Sequence, residues 1–223
     1  MTKKCQTSRR AEIGAEKRGR TRAQLIVAAR ELYGRDGGRA SRIEEICALA
    51  STARGTFYNY FPSIDAIQVA LFVELSRDFD DAVHVVFEQF PTASARTSAA
   101  IRYYLGRAIF DPAWGWGMVN TGMGTGLPMN QVTQRVDETI KDGIDSGEFL
   151  IDSPRAGRDI LLGSGLAAMI TILQGGLDQS YADRMAQYIL MALGVDPAAA
   201  ATLIRADLPE LEWHSSVRTH RHD

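Results

Sequence analysis

Apolar residues Leu25, Ala28, Ala29, Leu32 and Tyr33 recur at spacings of three and four, which puts them on one face of a helix over residues 21–35. Gly37 and Gly38 end that helix. Ser41 followed by Glu44 reads as a capping box, opening a short helix over 42–50 that buries Ile43, Ile46, Cys47 and Ala50. Ser51 and Thr52 form a polar break, and a second short helix is expected over 53–61. Pro62 cannot continue it, and Ser63 with Asp65 opens a long amphipathic helix to about Phe87, striped by Ile67, Leu71, Leu75, Phe79, Val83 and Val86. Further helical stretches follow Pro91 at about 94–109, 112–120, 128–146, 155–175, 180–193 and 197–205. No period-two alternation is sustained, so the expected fold class is all-α.

Charge sharpens this picture. Residues 1–62 carry 13 Lys and Arg against 6 Asp and Glu, while the rest carries 12 against 21. A basic end on an acidic body is the footprint of a chain that presents one end to a polyanion. At 223 residues, 45% hydrophobic and 23% charged, the composition is that of a soluble globular protein. Cys5 and Cys47 are far apart and outside any CxxC, which fits a reducing cytoplasm and excludes a disulfide framework or zinc site of usual spacing. The start MTKKCQTSRRAEIG lacks an apolar core, so it is not read as a secretory signal. Residues 160–177 are uncharged, yet glycines, Ser164, Thr171 and Gln174 interrupt them, and a buried or interface helix is expected there rather than a membrane span.

The two short helices at 42–50 and 53–61 have the dimensions of a helix-turn-helix. The stretch IEEICALASTARGTFYNYFPSIDAIQVAL, with Gly55, Thr56, Phe57, Tyr58, Tyr60, Phe61 and Ser63 in order, resembles the TetR (tetracycline-repressor-like) family of transcriptional regulators. The resemblance covers about residues 21–75. It implies a homodimer with a three-helix DNA-binding head and a larger helical domain that binds a small ligand and dimerises. The corresponding division is a mobile basic arm at 1–20, a head at 21–66, a ligand-binding and dimerisation domain at 67–206 and a tail at 207–223. Two positions depart from the family pattern. The turn reads Ser51-Thr52-Ala53 where Gly-Val-Ser is common, and Ile64 stands where the family usually has Lys. The basic residues Lys3, Lys4, Arg9, Arg10, Lys17, Arg18, Arg20 and Arg22 are expected to add phosphate or minor-groove contacts in compensation.

Helix geometry sorts the aromatics of GTFYNYFPS. Phe57 and Phe61, four apart, are expected in the core. Arg54 suits guanine, Asn59 suits adenine, and Gly55 permits close approach of the backbone. Tyr58 and Tyr60 can lean on the head and offer a hydroxyl to phosphate, with Thr56, Ser41 and Arg42 as further phosphate candidates. The partner implied is double-stranded DNA with a palindromic operator.

Between Phe110 and Met129 the chain gathers aromatics, methionines and spaced glycines with Asp111 as the single charge. Ordinary helical core is one reading. The other is a cavity for a mostly apolar or aromatic effector, with Tyr103, Phe110, Trp114, Met118, Thr121, Met129 and Met169 as candidate lining and Asn120, Thr121 or Tyr103 as polar contact. Dimerisation is expected through Leu166, Ile170, Leu173, Tyr188 and Ile189. His84 is isolated, His214, His220 and His222 lie in the tail, and no catalytic motif stands at a meaningful spacing, so neither an enzyme, a cofactor nor a metal site is expected. The function implied is a repressor released from its operator by a small ligand. The alternatives are a DNA-binding protein of the same fold without an effector, and a helical enzyme or carrier with a basic end.

Overall fold

The computed structural model describes residues 2–87, 89–122 and 131–211, with backbone alone at 2–14 and 131–132. Among these residues there are ten α-helices and no strand. The head comprises α1 (Thr2–Tyr33), a 3₁₀ turn at Gly38–Ala40, α2 (Ile43–Leu49) and α3 (Arg54–Tyr58). The body comprises α4 (Ile64–Phe87), α5 (Ala93–Phe110), α6 (Pro112–Gly122), α7 (Gln131–Asp145), α8 (Pro154–Leu173), α9 (Gln179–Ala192) and α10 (Pro197–Leu203).

Three differences from the sequence expectation concern the head. The first helix starts at Thr2, not near Thr21. Residues 2–20 carry no apolar stripe, but Lys, Arg, Glu, Gln and Ala are good helix formers and no proline interrupts them. The cap of α2 falls on Arg42 rather than Ser41, because the 3₁₀ turn takes Ser41 as its own end residue. The Arg42 backbone N–H then donates to Glu45 Oε2 at 2.7 Å, so Glu45 and not Glu44 closes the first turn. Finally α3 ends at Tyr58, and Asn59 and Tyr60 tighten into bonds back to the carbonyls of Thr56 and Phe57.

The head packs Leu25, Ile26, Ala29, Leu32 and Tyr33 of α1 against Ile46, Cys47, Phe57 and Phe61, all buried. Phe57 and Phe61 are in ring contact, and Arg22 lies over Phe61, with its guanidinium carbon 5.3 Å from the ring centre. Ser63 caps α4 by accepting the Ala66 N–H at 3.2 Å. Ile67 and Leu71 then carry the head core into α4, and Gln68 donates to the buried Tyr33 hydroxyl at 2.9 Å. Ile64 is half-buried against the same core, which gives an apolar residue a place there.

In the body, α6 threads between α4, α5 and α8. Its glycines are packing devices rather than points of flexibility. A Cβ on Gly117 would stand 2.8 Å from Leu75, and one on Gly115 about 3 Å from Leu173 and Ala108. By length and composition α8 passes for a membrane span, but it packs on α5, α6, α7 and α9. Glu148, in the α7–α8 connection, reaches the start of α5. It accepts from the backbone N–H groups of Ala93 (3.1 Å) and Ser94 (2.9 Å) and from the Ser94 hydroxyl (2.6 Å). Burial works to raise its pKa, and these bonds, with one from Ser146, outweigh it and hold the carboxyl below its ordinary value.

Two predictions follow from strain and capping. Ser51 occupies the left-handed region at φ 51° in the turn between α2 and α3. Relief of the Cβ clash exceeds the chain entropy that glycine adds, so Ser51→Gly should raise stability by about 0.5–1 kcal/mol, read as a higher urea midpoint at unchanged slope. A lower midpoint would contradict the assignment of strain. For Glu148 the native pKa is depressed, so its stabilisation is complete above the ordinary glutamate range and is lost as the pH falls through the lowered native value. Glu148→Gln should cost about 1–2 kcal/mol near neutral pH, and its gap to the wild type should narrow on acidification. A pH-independent gap would contradict the charge-based cap.

Candidate DNA-contacting face and inner cavity

The short helix α3 is anchored from below by Phe57 and leaves Arg54, Gly55, Tyr58 and Asn59 exposed on its outer side. Thr56 and Tyr60 are half-buried, and Tyr60 packs against the head core. Ser41 is half-buried and Arg42 exposed at the start of α2. A Cβ on Gly55 would meet no atom within 4 Å, so the protein's own packing does not require glycine there. Arg54 is not free: its guanidinium lies 2.8 Å from Glu44 Oε1, donates to the Tyr58 hydroxyl at 3.4 Å and stands over the Tyr58 ring. Glu44, expected in the cap of α2, lies beside Arg54 instead.

Above the head, a cavity of about 100 Å³ lies between α4, α5, α6, α7 and α8. Phe72, Ser76 and Phe79 line it from α4, Ala100, Ile101 and Tyr104 from α5, and Met118 and Gly122 from α6. Val136 and the segment Leu161, Leu162, Gly165 and Leu166 complete the described wall, which contains no charged side chain. Tyr104 sits in a ring cluster, 5.5 Å from both Phe79 and Trp114 with edge-to-face geometry. Its burial pushes the phenol well above its ordinary pKa.

Of the residues that the sequence nominated for the cavity, Met118 lines it. Trp114 stands behind the lining rings and ties α6 to α4, its indole N–H donating to the Leu75 carbonyl at 3.3 Å. Thr121 is buried and donates to the Gly117 carbonyl, and Met169 is fully buried in the core. Tyr103 points elsewhere, donating to the Pro209 carbonyl at 2.6 Å, and Phe110 is 86% exposed. Met129 lies outside the described residues, as do His214, His220 and His222. Sequence reasoning missed Ser76 and Tyr104. The signal for Tyr104 was its spacing of three and four from Ile101 and Ala100, which shares their face, whereas Tyr103 is rotated by about 100°.

Cavity and head are joined by short polar links. Asn120, on α6, donates through Nδ2 to the carbonyls of Tyr33 (2.8 Å) and Arg35 (2.9 Å) at the end of α1. Asp78 of α4 lies between Arg30 of α1 (3.8 Å) and Arg107 of α5 (3.6 Å), and Arg107 covers the Trp114 ring at 4.6 Å. Burial lowers the pKa of Arg107, and Asp78 and Asp111 oppose that shift.

On the opposite side, α8 exposes Gly163, Ala167 and Thr171, with Ile160 and Ile170 half-buried, and α9 exposes Tyr188 and Met191. Leu166 and Leu173 are half-buried, Leu166 within the cavity wall. Ile189 is 2% exposed within the single chain, so its burial belongs to the protomer's own core and leaves it no free surface. Among the described residues no group of His, Cys, Asp or Glu gathers as a metal site, and His84 is exposed.

Two family models match. Residues 25–71 match that of bacterial regulatory proteins of the tetR family, and residues 95–206 that of the tetracyclin repressor-like C-terminal domain. The crystal structure of RolR in complex with the ligand resorcinol is similar at 27% identity and a TM-score of 0.73, over 89% of this chain and 100% of that one. RolR without ligand aligns at 25% identity and a TM-score of 0.67, over 84% of this chain and 98% of that one. FadR from Bacillus subtilis in complex with stearoyl-CoA shares the fold at 19% identity and a TM-score of 0.61, over 75% and 97% of the two chains. A search of curated protein sequences gives no match. The chain belongs to the TetR family of bacterial transcriptional regulators, DNA-binding proteins that work as dimers with small-molecule effectors.

Proposed function

We propose that the protein is a homodimeric repressor that leaves a palindromic operator when a small, mostly apolar or aromatic effector enters the cavity between α4, α5, α6 and α8. The observation that carries this reading is that the two helices touching the head also line the cavity. Met118 and Gly122 face the cavity from α6 while Asn120 of the same helix holds the end of α1. Likewise Ser76 and Phe72 face it from α4, and Ile67 and Leu71 of α4 sit in the head core. An effector that prefers one arrangement of α4 and α6 therefore shifts the separation of the two heads. The bound resorcinol of RolR supports a compact aromatic effector.

Arg54, Gly55 and Asn59 read base edges, and Tyr58, Tyr60, Thr56, Ser41 and Arg42 hold phosphates. Glu44 keeps Arg54 folded back in the free protein and releases it to guanine when the groove closes over α3. The basic start of α1 adds phosphate contacts where Ile64 supplies none. The dimer forms through the outer faces of α8 and α9, where Gly163 and Ala167 allow close approach and Leu166, Ile170, Leu173 and Tyr188 contribute burial. Its C2 axis sets two recognition helices on successive major grooves.

Selecting bound DNA from a random pool and then screening ligands for release tests this directly. A palindromic consensus that an aromatic ligand dissolves supports the reading, and the lack of any consensus contradicts it. Gly55 gives a sharper check. Gly55→Ala should leave stability unchanged or raise it by up to about 1 kcal/mol, because helix propensity improves and nothing clashes. Operator affinity should nevertheless fall by about tenfold or more, since a methyl group keeps the backbone off the bases. Unchanged affinity for the selected site would remove α3 from the contact surface.

A further inference from the structure

Two hydroxyl-bearing side chains line the cavity, and one of them, Ser76, has nothing to bond. Ser76 is 2% exposed, lines the cavity, and its Oγ has no hydrogen-bond partner. A serine inside a helix ordinarily returns its hydroxyl to the carbonyl one turn back, and Ser76 does not. Tyr104 lines the cavity from α5, and its burial raises the pKa of the phenol. These are the only polar side chains of the described wall, and the remaining ones are aliphatic or aromatic. An unpaired buried hydroxyl costs about 1–3 kcal/mol, a cost that an occupant with a matching group removes.

Size and charge narrow the occupant. An apolar cavity of about 150 Å³ accepts a benzene-sized guest, so the volume of about 100 Å³ here admits one ring after a small shift of an adaptable residue such as Met118. No described lining side chain offers a countercharge, and an unpaired ion in such a site is strongly disfavoured. The edge-to-face rings of Phe79 and Tyr104 favour an aromatic guest over a saturated one.

We infer that Ser76 and Tyr104 form a hydroxyl-binding subsite, and that the cavity takes an uncharged single-ring phenol whose hydroxyl bonds to this pair. The inference deepens the effector reading above and rests on it for the location of the site. It adds a consequence for coupling. The ligand's polar group engages α4 one residue beyond Leu75, whose carbonyl is held by Trp114 of α6, so binding acts on the contact between the two helices that reach the head.

Calorimetry on the full-length protein with phenol, toluene and benzoate tests this without requiring DNA. Phenol should bind about tenfold or more tighter than toluene, the worth of a hydrogen bond to a buried, otherwise unpaired group, and benzoate should not bind detectably. In the Ser76→Ala/Tyr104→Phe variant, phenol and toluene should bind within about threefold of each other, with toluene affinity retained as the internal check on folding. Equal affinity of the wild type for phenol and toluene would overturn the subsite, as would tight benzoate binding or a phenol preference that survives in the variant. Failure of the broader reading looks different. Phenol would then bind with the expected preference and leave operator affinity unchanged, which upholds the subsite and removes the effector role.

Discussion

One buried side-chain amide ties α6 to the end of the head's first helix. The carbonyls at the end of a helix have no partner within it, and Asn120 of α6 donates to that of Tyr33, the last residue of α1, and to that of Arg35 two residues beyond. The C-terminal end of the head's first helix is therefore completed in part by the body, beside the bonds that Gly34 and Gly38 make locally. The amide is buried, so separating α6 from α1 leaves the amide and the Tyr33 carbonyl needing new partners at about 1–3 kcal/mol each, while the Arg35 carbonyl keeps the Gly38 N–H. Such a contact is better described as made or broken than as stretched, which is what a switch between two head positions requires.

The rest of the junction reinforces it. Trp114 fixes α6 to α4 through the Leu75 carbonyl, Gly115 and Gly117 let α6 sit close against α4, α5 and α8, and Asp78 collects arginines from α1 and α5. The cavity lies on the far side of these contacts, lined by the same α4 and α6. In the proposed function, its occupancy and the position of the head depend on the same two helices. No separate transmission element is needed.

Much of the fold was legible in the sequence because helices declare themselves by a period near 3.6 and by breakers such as Pro62 and Pro91. Phe57 and Phe61 were legible as anchors for the same reason. The start of α1 was not, since residues rich in Lys, Arg, Glu and Ala look alike as a solvated arm and as a polar helix. The cavity was legible in chemical character but hardly in its residues. Whether Tyr103 or Tyr104 faces inward turns on the rotation of α5 against neighbours far away in sequence, and Ser76 looked like any polar position on a long helix. Composition marked the glycines of α6 as notable, but only packing against Leu75 and Leu173 reveals why they are small. Ser51 is the instructive intermediate case: its departure from the family's usual glycine was visible at once, and the structure supplies the reason in its positive φ.

The linkage of cavity to head through Asn120 is tested most directly by the ratio of operator affinities measured with and without saturating phenol, in the wild type and in Asn120→Ala. The ratio is a coupling free energy, typically about 1–3 kcal/mol in systems of this kind. With the α1 carbonyls released from α6, it should collapse toward one while phenol binding and ligand-free operator binding both persist. A ratio unchanged from the wild type, with phenol still bound, would contradict the proposed route.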